Sequence, residues 1–298
     1  GPGLVEVALG DGTVEEVRAK DVIIATGAEP AVFPALGYDG DLVITSDEAL
    51  ALEEIPEHLI IVGGGVIGCE FASIFATLGS RVTIVEMLPR LLPMADEEIS
   101  KQLTQSLRRL RVQMHTGVKV SRVDKSDGLK VILETGEELQ GDKMLVSVGR
   151  RVNTEGLGLE KIGINTNGKH EIVVDDKMAT NVSGFWAIGD VTDCPLKLAH
   201  VASFQGLVAV SNILGETCTM DYGAVPNCVF TQPEVAWVGL SESRAIELGY
   251  DLQVGKFPFL ASGKALAMGE NEGMVKIIAD KDSGDLLGVH IIGPHASD

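Results

Sequence analysis

The chain has 298 residues, enough for about two domains at ~150 residues each, and 45% of them are apolar. Its 24 Lys and Arg face 43 Asp and Glu, and the resulting net charge of −19 repels phosphate backbones and anionic lipid, which excludes nucleic acid as a partner. No apolar run reaches the ~18 residues a membrane span needs, and residues 1–20 are acidic and polar rather than signal-like, so no membrane association is expected.

The first predicted element is an antiparallel ribbon, a strand over residues 4–9 turning at Asp11-Gly12 into a polar strand that starts at about Glu15. A buried strand follows and stops at Gly27. The same pattern returns 122 residues later, with Glu15 over Glu137 and Gly27 over Gly149: a ribbon turning at Thr135-Gly136, then a buried strand. Only the second copy is preceded by a complete β-α-β-α-β unit, over residues 46–117, so the chain is expected to begin inside a domain. In that unit a strand at 59–62 leads through Gly63-Gly64-Gly65-Val66-Ile67-Gly68 into an apolar-periodic helix ending at Gly79. A strand at 81–86 comes next, then a helix capped by Asp96 and running to about Leu110, and a strand at 112–115.

Residues 150–180 are loop-rich. An apolar run follows at 184–189, then a helix at 199–214. From Ala224 the pattern turns to strands, at 225–230, 235–238, 253–259, 274–279 and 286–292, interrupted by a single helix at 242–248. One short helix cannot cover a sheet of that size, so part of one face is expected to be bare or to meet a second copy.

Gly63-x-Gly65-x-x-Gly68 between a strand and a helix, with Glu86 ending the next strand 18 residues on, is the dinucleotide-binding pattern. Gly63 permits the tight turn, Gly65 lets a pyrophosphate approach the backbone, Gly68 allows close helix packing, and the helix start offers free N–H groups. Glu86 would accept hydrogen bonds from ribose hydroxyls and repel a 2′-phosphate, which selects NAD over NADP. The run ending in Gly189-Asp190 places a carboxylate at a strand's carboxyl end, either as a ligand contact or as a turn cap, and Gly27 and Gly149 read in the same two ways. The four cysteines, Cys69, Cys194, Cys218 and Cys228, form no C-x-x-C, so no metal site or redox dithiol is expected, and a reducing cytoplasmic compartment fits best.

The chain resembles the FAD-dependent pyridine-nucleotide disulfide oxidoreductases. The resemblance rests on Ala25-Thr26-Gly27, residues 63–70, Val85-Glu86, Val148-Gly149-Arg150-Arg151, Ala187-Ile188-Gly189-Asp190, Leu198-Ala199-His200 and residues 230–234, in the family's order along nearly the whole chain. It implies an α/β protein with two Rossmann-like nucleotide-binding domains and an α+β dimerisation domain. The FAD domain would be incomplete, in segments 1–36 and 150–222, with the NAD domain, 37–149, inserted into it and an incomplete dimerisation domain at 223–298. FAD would meet Thr26, Gly27, Gly189, Asp190, Leu198, Ala199 and His200. NAD would meet Gly63, Gly64, Gly65, Val66, Ile67, Gly68, Glu70, Glu86 and Gly149, and Glu70 would also pair with a lysine beside the flavin. Such an enzyme moves two electrons from a dithiol through its own disulfide and FAD to NAD. With NAD rather than NADP, the dithiol would be dihydrolipoamide on a lipoyl-bearing protein of a 2-oxo acid dehydrogenase or glycine cleavage complex, and the enzyme would be a homodimer.

Three of the family's parts are not found in these residues: the first GxGxxG, the cysteine pair separated by four residues, and the catalytic His/Glu pair. Val152 stands where a proline is usual after the paired arginines. The 298 residues are therefore expected to be inactive alone. A catalytically silent NAD-binding fragment and another NADH-using flavin disulfide reductase or oxidase stay open as alternatives.

Overall fold

A computed structural model describes residues 3–298. They cluster into two compact units: residues up to Glu29 with Arg150–Val225, and Pro30–Gly149 with Pro226–Asp298.

In the first unit Leu4–Ala8 pairs antiparallel with Val14–Arg18, and the buried strand after this ribbon, Val22–Ile24, pairs parallel with Phe185–Ala187. Parallel pairing brings the carboxyl ends of these two strands to one edge, where Gly27 and Gly189 follow with φ of +69° and +74°. The helix Ala199–Ile213 packs Val201, Val208 and Ala209 into a small core with Met178 and Met220.

The second unit is built on a five-stranded, wholly parallel sheet in the order Val43–Ile44, Lys143–Val146, His58–Val62, Arg81–Glu86, Gln113–Thr116. Its central strand His58–Val62 is buried at every residue, as a sheet covered on both faces requires. The chain runs from this strand to one side and returns on the other, so the topological switch point lies between His58–Val62 and Lys143–Val146. The helix Val66–Leu78 starts there and ends at Gly79, whose φ of +104° closes the last turn. Asp96 caps the helix Glu97–Arg109 by accepting from the Glu98 N–H at 3.0 Å.

Three features differ from the sequence reading. The second ribbon is three-stranded, because Val120–Asp124 adds to Leu129–Leu133 and Glu138–Gly141. Residues 30–36 belong with the second unit, since Ala31 N–H donates to the Gly149 carbonyl and Leu36 packs against the Val43 cluster. The strands from Asn227 form a five-stranded antiparallel sheet accompanied by two helices, Glu242–Glu247 and Gly263–Met268, rather than one. The main cover of one face comes from elsewhere in the unit. Val229, Val235, Met274 and Ile292 share a core with Ile99, Leu103 and Leu107 of Glu97–Arg109. The opposite face carries Ala236, Val238, Val275, Ile277, Val289 and Ile291 in adjoining register rows with Phe257, and there Ile277 is 42% and Phe257 50% exposed.

Candidate functional site

At the switch point of the parallel sheet, the glycine-rich turn is shaped by what surrounds it. Gly63 has φ of +111°, and a Cβ there would strike the backbone of Ser147; a Cβ on Gly68 would overlap the Gly63 carbonyl oxygen. Gly64 is equally confined, since its Cβ would meet the Leu91 side chain and lie 3.1 Å from Glu86 Cβ. Gly65 alone faces open space, and it caps the helix Val66–Leu78 without any side-chain bond. The first-turn N–H groups of Val66 and Ile67 thus point, with the positive end of the helix dipole, toward a space that only a glycine leaves open.

Glu86, 6% exposed, ends the neighbouring strand. Its Oε2 accepts from the Gly64 N–H at 2.5 Å and its Oε1 from the Leu88 N–H at 2.7 Å. Those bonds fix the carboxylate beside the turn and leave about two of its four lone-pair positions for ribose hydroxyls. Ser147 and the loop after Glu86 are the parts that sequence reasoning did not find. Ser147 Oγ donates to the Val62 and Gly63 carbonyls at 3.1 Å each, and Leu92 N–H donates to the Gly64 carbonyl at 2.9 Å. Ser147 sits two residues before Gly149, whose φ of +130° and open Cβ position mark the same edge. Its place within the repeated strand end was the available signal.

Glu70 lies one turn into the helix, and its Oε1 accepts from the Phe230 N–H at 2.8 Å. Burial, outweighing this bond, raises its pKa. Beside it Ser73 Oγ accepts from the Gln232 N–H at 3.0 Å, so this helix face holds the backbone of segment 230–232. Cys69 is fully buried, and burial first, then Glu86 and Glu70, push its thiol up to about 12. Such a thiol is inert.

In the first unit a second set of residues gathers at the carboxyl edge of Val22–Ile24 and Phe185–Ala187. Thr26 Oγ1 donates to the Asn153 carbonyl at 2.7 Å, and Asn153 N–H donates to the Gly27 carbonyl at 2.9 Å. Asp190 Oδ2 lies 3.5 Å from Arg150 Nε. Lys197 Nζ donates to the Asp190 carbonyl at 2.9 Å and the Thr192 carbonyl at 2.6 Å. Leu198 caps the helix Ala199–Ile213 with its backbone only, and Ala199 and His200 at the helix start are exposed. Every residue expected to face FAD is therefore in this unit and every one expected to face NAD is in the other. The open Cβ position of Gly27, the left-handed turn at Gly189 and a 15-residue helix that starts without a side-chain cap leave room at this edge for an anionic ligand. Among the described residues no cluster of three or more His, Cys, Asp or Glu could hold a metal ion, and no helix is long and apolar enough to cross a membrane.

The glycine turn at a parallel-sheet switch point is the architecture of an α/β nucleotide-binding protein, and the chain belongs to the pyridine nucleotide-disulphide oxidoreductase family, which matches residues 3–206. The dimerisation domain of the same family matches residues 225–298. Among its relatives are dihydrolipoyl dehydrogenases: that of Bacillus subtilis is 46% identical over 306 residues, covering 100% of this chain and 64% of the relative. That of Chlamydia muridarum is 43% identical, covering 98% of this chain and 63% of the relative. The chain thus spans less than two thirds of the length of these relatives. Among solved structures, LpdA from Mycobacterium tuberculosis superposes with a TM-score of 0.92 at 32% identity, covering 98% of this chain and 64% of that one. The flavoprotein disulfide reductase RclA from Escherichia coli gives 0.92 at 33% identity, covering 99% of this chain and 67% of that one.

Proposed function

We propose that this chain carries the NAD site and part of the FAD site of a dihydrolipoyl dehydrogenase. The enzyme would oxidise protein-bound dihydrolipoamide to lipoamide, passing two electrons through a redox disulfide and FAD to NAD. The observation that carries this reading is Glu86, held against the glycine turn by two backbone N–H groups, in a chain 46% identical to a dihydrolipoyl dehydrogenase. Flavin and nicotinamide supply the electron chemistry; the protein's residues bind and orient them. Val66 and Ile67 offer backbone N–H groups to the pyrophosphate, Gly65 admits it, and Glu86 accepts from the adenosine ribose. In the other unit Asp190 takes the flavin's ribitol hydroxyls, and the amides at Leu198–His200 support negative charge on its ring system.

The acid at Glu86 gives the test. NADH should bind more tightly than NADPH, and Glu86→Ala should weaken NADH by about 1.5–3 kcal/mol, the worth of hydrogen bonds to a charged acceptor. Equal affinities for the two nucleotides in the unmutated chain, read by quenching of protein fluorescence, would refute the assignment.

A lipoyl-bearing protein of a 2-oxo acid dehydrogenase or glycine cleavage complex is the partner this reading implies, and the net charge of −19 suits a basic docking patch. The match to the dimerisation domain supports a homodimer. The apolar face around Ile277 and Phe257 supports association of these 298 residues in isolation. Ile277→Asp should shift the isolated chain toward monomer in sedimentation velocity. A chain that already sediments as a clean monomer at high micromolar concentration counts against this part. The similarity to RclA favours a second reading, another NADH-using flavin disulfide reductase. Turnover of dihydrolipoamide by the whole enzyme separates the two.

A further inference from the structure

Gln205 is the fully buried polar residue of the helix Ala199–Ile213. It lies in the helix's second turn, and nothing in its sequence neighbourhood, Phe204-Gln205-Gly206, marks it as functional. Its Oε1 accepts from the Gly189 N–H at 2.7 Å, and its Nε2 donates to Tyr222 Oη at 2.9 Å. The two bonds fix the amide's orientation. A backbone N–H can only donate, so the oxygen must face Gly189 and the NH₂ must face the phenol, which accepts. Burial pushes the Tyr222 phenol up, despite the opposing bond from Gln205, so it stays neutral in this role.

The group so held is the first residue of the turn that presents Asp190. Gly189 sits at φ of +74°, and Ala202 of the same helix lies 3.4 Å from where its Cβ would be, so the turn rests directly on the helix. The rest of the turn is tied by Thr192 Oγ1 to the Gly189 carbonyl at 2.8 Å and by Lys197 to the carbonyls of Asp190 and Thr192. Only Gln205 takes the Gly189 N–H among these ties. Without it that half-buried N–H loses its acceptor, and the turn is free to rotate to find another.

We propose that Gln205, locked by Tyr222, is a positioning residue for the flavin site: by holding the Gly189 N–H it aims the Asp190 carboxylate at the ribitol chain of FAD. This inference rests on the reading of Asp190 as an FAD contact, and the experiment keeps the two apart. The protein is stripped of flavin and titrated with FAD, with affinity read from flavin fluorescence and NADH affinity measured in parallel.

Asp190→Ala should weaken FAD at least 10-fold; no change overturns the reading of the site. Gln205→Leu, similar in size but without an acceptor, should weaken FAD about 10-fold and leave NADH affinity within 2-fold, because the NAD residues are in the other unit. Gln205→Glu should restore FAD affinity to within about 3-fold, since a carboxylate accepts from Gly189 N–H and from a rotated Tyr222 O–H alike. A merely space-filling role would be met by leucine and not rescued by glutamate. An Asp190→Ala loss together with unchanged FAD affinity in Gln205→Leu overturns the proposal alone. Should Gln205→Leu not fold, Tyr222→Phe carries the test: it frees the amide to turn, about 3-fold weaker FAD supports the proposal, and unchanged affinity overturns it.

Discussion

Lys276→Ala should destabilise the second unit by about 3–5 kcal/mol, the cost of stranding buried charge. Lys276 is 3% exposed at its side chain and lies 2.8 and 3.0 Å from the two oxygens of Asp96, itself 2% exposed, and 2.6 Å from Glu242 Oε2. Asp96 does more than balance the charge. Its Oδ1 caps the helix Glu97–Arg109, and its Oδ2 accepts from the Glu242 N–H at the start of another helix. One carboxylate therefore joins a helix of the nucleotide-binding sheet to the strand Met274–Asp280 and the helix Glu242–Glu247 of the antiparallel sheet. His290, opposite Lys276 in the sheet register, is held neutral because burial lowers its pKa, so it does not compete with Lys276 for Asp96. Urea unfolding gives the number, and a loss below about 1 kcal/mol would reduce the network to the worth of a surface pair. Lys276→Met combined with Asp96→Asn should cost less than the sum of the single changes, since each alone leaves a partner unpaired.

The pH dependence of this network has a definite sign. Burial raises Asp96, but the bonds from Lys276 and from the Glu242 N–H outweigh it and leave the carboxyl below its ordinary 3.8. Its stabilisation is therefore present above pH 3.8 and is lost as pH falls through the lowered value. For Lys276 burial lowers and the bonds to Asp96 and Glu242 raise more strongly, leaving it above 10.5. That contribution is present below pH 10.5 and is lost as pH rises through the raised value. Between the two limits Asp96 and Lys276 both keep their charge, while His290, with its lowered pKa, contributes a fall of its own as pH drops below 6.5. Lys276→Ala should lower stability at neutral pH and flatten the part of the acid fall that belongs to Asp96.

Elements whose cause is local were legible along the chain, and those whose cause is a distant partner were not. The helix Val66–Leu78 and the strand Arg81–Glu86 are found where periodicity, Gly79 and the flanking turns put them, because cap and apolar spacing act within a few residues. Val120–Asp124 is only a strand because Leu129–Leu133 pairs with it; three of its five residues are exposed or charged and its own pattern is weak. The helix Gly263–Met268 begins with glycine and buries no residue, so only Ser262 as its cap and Gly269 as its stop announced it. At the site, Gly63, Gly65, Gly68 and Glu86 could be read from spacing, since each follows from the needs of a strand-turn-helix. Ser147, Leu92 and Gln205 act across long sequence separations on backbone groups that carry no side-chain signal. Lys276 pairs with Asp96 across 180 residues, and nothing in its own strand marks that pairing.

Gly68→Ala and Gly65→Ala should fail in different ways, and the contrast locates the pyrophosphate. A Cβ on Gly68 would overlap the Gly63 carbonyl oxygen and lie 2.9 Å from Ser147 Oγ. Neither neighbour can yield: Gly63 is wedged against Ser147, whose hydroxyl is committed to the Val62 and Gly63 carbonyls. The helix Val66–Leu78 must back away from the turn, at a cost of about 1–3 kcal/mol for overpacking, and it takes the N–H groups of its first turn with it. Gly68→Ala should thus lower both the thermal midpoint and NADH affinity. Gly65 has φ of −75° and nothing within 4 Å of its Cβ position, so alanine there is compatible with the folded backbone. Gly65→Ala should unfold within about 0.5 kcal/mol of the parent, the range of substitutions that touch nothing. Its methyl nevertheless enters the open space at the helix start, and with the pyrophosphate proposed there NADH should weaken at least 10-fold. A Gly65→Ala protein that is stable and binds NADH normally would move the pyrophosphate away from this turn, whatever Glu86 contributes to the ribose.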